Sequence, residues 1–190
     1  EGLGPARLSG KIINLLVTLC RDAKKLGITL IIDAYTACIL DKLGRDSVHS
    51  PHLSGLRVFL PKNQKSKIIR AKRFDLVEPY RQQRIYAAQI AANPKQWMML
   101  FRGSMVGDLE SIGCLEGAKL LYSLWPGYLD RDKNDLRLWA KNNMIEFEVH
   151  HTSGHAHWNA LSRFVNSVSP ARLVPIHTLH PKKYTSLYHN

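Results

Sequence analysis

Apolar positions along the chain alternate between two spacings, one helical and one strand-like. Residues 6–26 carry Leu8, Ile12, Leu15, Leu16, Leu19 and Ala23 at helical spacing, and Gly27 supplies a stop. Residues 28–32 form a β-branched and aliphatic run, the signature of a strand buried on both faces, ended by Asp33. The pattern then predicts a helix over 34–43 closed by Gly44, and a strand over 56–60 stopped by Pro61. A basic segment follows, then a helix over 79–92 ended by Asn93-Pro94. The theme recurs as a strand over 96–101, a loop at Arg102-Gly103-Ser104 and a helix over 106–115 with Gly117 at its end. Further strands are expected over 119–123, 145–149 and 172–176, with helices over 130–142 and 157–168 between them.

Strand and helix alternate throughout, so the expected fold class is α/β with a mainly parallel sheet flanked by helices. No internal repeat or low-complexity linker interrupts it. At 190 residues the chain is long enough to bury a proper core, and 45% hydrophobic residues suit a globular protein. No apolar run approaches the length of a membrane span, and no signal-peptide pattern opens the chain, so a cytoplasmic location without membrane partners is expected. Cys20, Cys38 and Cys114 are far apart and odd in number, which points to reduced, buried thiols.

Charge changes the picture more. Twenty-seven Lys and Arg against fifteen Asp and Glu give +12, a field that favours polyanions, nucleic acid first. Lys62, Lys65, Lys67, Arg70, Lys72 and Arg73 concentrate part of it, and the plainer reading of that run is a solvated, mobile loop.

Candidate chemistry gathers at the predicted strand ends, where α/β proteins place ligands. Asp33 can orient a histidine or simply cap the next helix. Seven of the nine histidines fall in the last 41 residues. In Ser153-Gly154-His155-Ala156 the glycine lets backbone approach a ligand, and the following helix start can face phosphate. His155 sits there as a general acid or metal-polarised group, and His151 and Ser153 can donate to phosphate oxygens. His177, after Val174-Pro175-Ile176, stands where a metal ligand fits. His157, His180 and His189 read as solvent-facing or capping residues. The chain has no H-x-H-x-D-H, no H-E-x-x-H and no paired cysteines, so these residues are too few for a two-metal centre.

At these positions the sequence resembles metallo-β-lactamase-fold hydrolases that carry a β-CASP domain, the group of ribonuclease J and the mRNA 3′-end cleavage nucleases. Leu30-Ile31-Ile32-Asp33-Ala34-Tyr35 resembles the family's motif A, Ser153-Gly154-His155-Ala156 its motif B, and Val174-Pro175-Ile176-His177-Thr178 its motif C. The loops holding Ser104 and Ser123 (Arg102-Gly103-Ser104 and residues 122–128) sit where family members place substrate-facing segments.

The resemblance implies a β-CASP-like α/β domain over 1–143 and, over 144–190, a terminal strand-helix-strand segment of a metallo-β-lactamase domain. It implies zinc-dependent phosphodiester hydrolysis, with RNA ahead of DNA as partner and two zinc ions in the parent enzyme. His177 would hold one zinc, His155 would act on the leaving oxygen, and Asp33 would buttress His155. Substrate phosphates would meet His151, Ser153, Gly154, Ser104 and Ser123. The H-x-H-x-D-H half precedes the β-CASP domain in that family, so the chain reads as a fragment inactive by itself, and strand edges left bare would favour self-association. Two rivals stand beside this expectation: a metallo-β-lactamase-fold hydrolase of a small molecule, and a non-catalytic nucleic-acid-binding module.

Overall fold

The computed structural model describes residues 10–43, 56–131, 135–151, 156–176, 178 and 180–187. Contacts divide the chain into two compact units, Glu1–His150 and His151–Asn190. That division falls seven residues after the expected boundary at 143/144, because the strand following that boundary pairs within the first unit.

The first unit is α/β. Its elements run α1 (Gly10–Lys25), β1 (Thr29–Asp33), α2 (Ala34–Leu43), β2 (Leu56–Phe59), α3 (Lys62–Ala71), α4 (Ala87–Ala92), β3 (Trp97–Met99), α5 (Val106–Ile112), β4 (Lys119–Tyr122), α6 (Leu136–Asn142) and β5 (Glu146–Val149). One parallel sheet has the order β2-β1-β3, and a second pairs β4 with β5, also in parallel. The single, mainly parallel sheet expected from the sequence is thus two small ones among the described residues.

β1 is central because its side chains are apolar on both faces. Leu30 and Ile32 pack with Leu16, Ala37, Leu40 and Val58 on one side. Ile31 packs with Phe59, Ile85 and Ile90 on the other. All three are fully buried, which on area grounds contributes roughly 1.5–3 kcal/mol each. The second sheet lies over its own core of Tyr122, Leu129, Leu136, Trp139, Ala140 and Ile145, where the Phe101 and Trp139 rings stack at 5.5 Å. On the solvent face Lys119 bridges Glu146 and Glu148, holding the Glu148 carboxyl down at about 2 through the Lys119 and His150 hydrogen bonds. Lys119, Glu146 and His150 are exposed and Glu148 is only half-buried, so the clamp contributes little to stability.

Several elements differ from expectation for physical reasons. The segment after Pro61 is a helix rather than a mobile loop, because Ile68 gives it a buried anchor and Asp108 accepts a hydrogen bond from the Lys62 N–H at 3.0 Å. The helix expected over 79–92 is a 3-10 turn, Glu78–Gln83, followed by α4, with Arg84 and Ile85 extended along β2 between them. The helix expected from 130 begins at Leu136, after a 3-10 turn over Pro126–Arg131. α5 ends at Gly113 (φ 71°) rather than running to Gly117. Cys20, Cys38 and Cys114 are free as expected but only partly buried, and that burial pushes each thiol above its ordinary range.

The second unit holds α7 (Trp158–Val168) and a 3-10 helix, Pro181–Leu187, whose Tyr184 meets Trp158 edge to face at 5.4 Å. Residues 172–176 form no strand: Val174 and Ile176 are exposed and no described segment pairs with them. A strand needs a partner for its backbone groups, whatever its side chains. Among the described residues no helix is long and apolar enough to cross a membrane.

Asp108 ties α5 to the start of α3 although α3 has no side-chain cap of its own. Asp108→Ala is therefore expected to destabilise the chain by about 1–2 kcal/mol, read as a lower urea midpoint at unchanged slope. An unchanged midpoint would show that the contact carries no stability.

Candidate anion-binding site at the carboxyl edge of the first sheet

The strand order β2-β1-β3 fixes where a site can form. The connection from β1 runs to one side of the sheet and the next crosses back to the other, so the carboxyl ends of β1 and β3 mark the switch point at which open α/β sheets place ligands. Asp33 ends β1 there, and Arg102 follows β3.

Asp33 is 1% exposed and both its oxygens are engaged. Oδ1 accepts the Thr36 N–H at 2.7 Å and so caps α2. Oδ2 accepts Gln64 Nε2 and Arg102 Nε, each at 2.8 Å. Arg102 also donates Nη2 to Thr36 Oγ1 at 3.1 Å, and its guanidinium lies 5.5 Å from the Tyr35 ring centre. Gln64 accepts the Tyr35 N–H through Oε1, completing a mesh among β1, α2, α3 and the turn after β3. A buried carboxylate costs several kcal/mol in desolvation unless it is paired and hydrogen-bonded, and three donors meet that requirement here.

The consequence is a half-exposed guanidinium with a fixed direction. The Arg102 side chain is 40% exposed while its carboxylate partner is 0% exposed. Nε and Nη2 are held from within, and Nη1 has no acceptor among the described residues. Such a group can receive one oxygen of a phosphate or carboxylate without first paying to order its side chain.

The first turn of α3 reaches this edge through Gln64, and beyond it the helix and its C-cap carry further cations. Lys62 donates to Ser111 Oγ at 3.0 Å and Arg73 pairs with Asp75. Lys65, Lys67, Arg70 and Lys72 are exposed and have no acidic partner among the described residues.

Of the residues singled out in the sequence, Asp33 is at this site, and Ser104 is exposed two residues beyond Arg102. Ser123 and His151 are exposed in the first and second units respectively. His155, His177, Ser153 and Gly154 lie outside the described residues, and with them any contact between Asp33 and His155. Among the described residues no group of three or more His, Cys, Asp or Glu could hold a metal. Asp33 is turned toward three donors and is not available as a ligand, so the described residues do not make up a zinc donor set and no chemical step is assigned to one. Sequence reading passed over Arg102, Gln64 and Thr36 as site residues. The available signal was an arginine just past a strand end in a parallel sheet whose central strand ends in Asp.

Asp33→Ala is expected to cost on the order of 2–4 kcal/mol, since it strands Arg102, Gln64 and the first turn of α2. Arg102→Ala should cost less, about 1 kcal/mol, because solvent replaces much of what a partly exposed guanidinium loses. A double-mutant cycle by denaturant unfolding should give clear coupling between them; additivity within about 0.5 kcal/mol would mean the pair is not an energetic unit. Comparisons with protein-family models, curated proteins and solved structures found no match, so the functional reading rests on the residues and their geometry.

Proposed function

We propose that the chain is the β-CASP-like domain and terminal segment of a metallo-β-lactamase-fold, metal-dependent nuclease, and that its own share of the work is to hold the phosphates of RNA. The observation that carries the phosphate-holding part is the Asp33–Arg102 pair, a buried carboxylate holding a half-exposed guanidinium at the carboxyl edge of a parallel sheet. Two features support the polynucleotide over a small anion. The net charge is +12, and α3, whose Gln64 shares the Asp33 carboxylate with Arg102, carries exposed Lys65, Lys67 and Arg70 with Lys72 at its C-cap. The ordered set of Asp33, His155 and His177, each in its motif, supports the nuclease assignment. Hydrolysis itself would need metal ligands that the 190 residues do not include in an H-x-H-x-D-H arrangement.

In this scheme Arg102 fixes one phosphate and α3 neutralises its neighbours, each contact releasing condensed counterions from the strand. Asp33 acts as a positioning residue: it touches no substrate and sets where Arg102 points.

The purified chain is expected to bind single-stranded RNA with an affinity that falls steeply with salt, and to leave it uncut with zinc added or withheld. Replacing Lys65, Lys67 and Arg70 together by Gln should flatten the logarithmic salt slope by about 2, at about 0.7 per phosphate contact. Absence of binding at low salt would overturn the polynucleotide reading in favour of a small-molecule hydrolase. Zinc-dependent cleavage would show instead that a complete metal centre assembles within this chain.

A further inference from the structure

The carboxyl end of β4 carries a feature that phosphate binding does not use. Residues 124–128 read Leu-Trp-Pro-Gly-Tyr, and three large apolar side chains there face solvent: Leu124 at 60%, Trp125 at 50% and Tyr128 at 56% exposure. They are held in place. The Tyr128 N–H donates to the Trp125 carbonyl at 3.0 Å, closing the turn. The Trp125 and Tyr128 rings meet edge to face, 5.4 Å apart at 88°. The six-membered ring of the Trp125 indole lies against Gly127, where a Cβ on any other residue would collide with it. Glycine is needed here for that close approach, at a negative φ any residue could adopt.

We infer that Trp125 and Tyr128 form a stacking platform for an unpaired base of single-stranded RNA. The inference rests on the polynucleotide reading above and gives that substrate a second point of contact. An exposed aromatic pair loses water-ordering free energy only when something covers it, and a platform already fixed by its own turn pays little to receive a flat ring. Every base offers a π-face, so a stacking contact needs no particular sequence. Position agrees with the chemistry. Phe101, just before Arg102, and Tyr122, three residues before Trp125, pack in one core cluster, so the phosphate-directed arginine and the aromatic turn spring from the same buried support. The charge of +12 favours an anionic strand over an uncharged apolar peptide as the occupant.

The test compares the 190-residue chain with its Trp125→Leu, Trp125→Phe and Gly127→Ala variants. Affinities for short single-stranded oligouridine and for inorganic polyphosphate are measured by fluorescence anisotropy and competition across a salt series. Trp125→Leu keeps the apolar bulk and removes the π-face, so oligouridine binding should weaken by roughly tenfold. The salt slope should stay as it was, because no charge is lost. Trp125→Phe should retain most of the affinity, and Gly127→Ala, which displaces the indole without deleting it, should behave like Trp125→Leu. Polyphosphate binding should be the same for all four proteins. Wild-type oligouridine affinity in Trp125→Leu would overturn the platform while leaving the phosphate-binding role intact, as would an equal loss of polyphosphate binding, which marks a general disturbance. A surface that takes up an uncharged apolar peptide through Trp125, with no effect on oligouridine, would assign the turn to a protein partner instead. If the wild-type chain binds no oligouridine at all, both the polynucleotide reading and the platform fall.

Discussion

A single buried carboxylate organises the first sheet and what lies beyond it. Asp33 has no exposed side-chain surface, and three donors from separate parts of the chain converge on it. Because leaving an ionised carboxylate in the interior unpaired is so costly, the start of α2, the first turn of α3 and the turn after β3 must all be in place when β1 is. The fold's central strand and the direction of the Arg102 guanidinium are therefore set by the same group. Asp108 repeats the device on a smaller scale, tying α5 to the helix that supplies Gln64.

That arrangement gives the chain's charge a place to act. A surplus of twelve cations spread evenly would yield only weak, directionless attraction. Here α3, which carries exposed cations, and Arg102 are both tied to Asp33, α3 through Gln64. The aromatic turn after β4 adds a contact of another kind, neutral and flat. Phosphate attraction fades with salt and stacking does not, so the two would complement each other along one strand.

Much of this was legible in the chain, and the parts that were not share a cause. The uninterrupted run Leu30-Ile31-Ile32 announced a strand covered on both faces, and Asp33 marked its end. Gly27 marked the end of α1 because only a left-handed residue closes that turn cheaply. By contrast, Arg102 and Gln64 are 69 and 31 residues from Asp33, and nothing local to either reveals the pairing. Lys62 to Arg73 looked like a solvated run because its helix depends on one buried isoleucine and a cap lent by Asp108. Residues 172–176 looked like a strand because their side chains suit one, but a strand's existence is decided by a neighbour's backbone.

The sequence alone therefore determined the quantities that depend on near neighbours: that Leu30-Ile31-Ile32 buries both faces, where α1 stops, the sign of the charge, and that Asp33 ends a strand. The α/β class follows from those, since a helix and a doubly buried strand in alternation can satisfy their apolar surfaces in few other ways. Only the tertiary structure decided that the strands of the described residues divide into two small parallel sheets, that β1 rather than another is central, and that Asp33 spends its oxygens on Arg102, Gln64 and Thr36. The physical reason is range. Periodicity and capping act over a few residues, whereas a buried charge is satisfied by whichever donors the chain's topology brings to it.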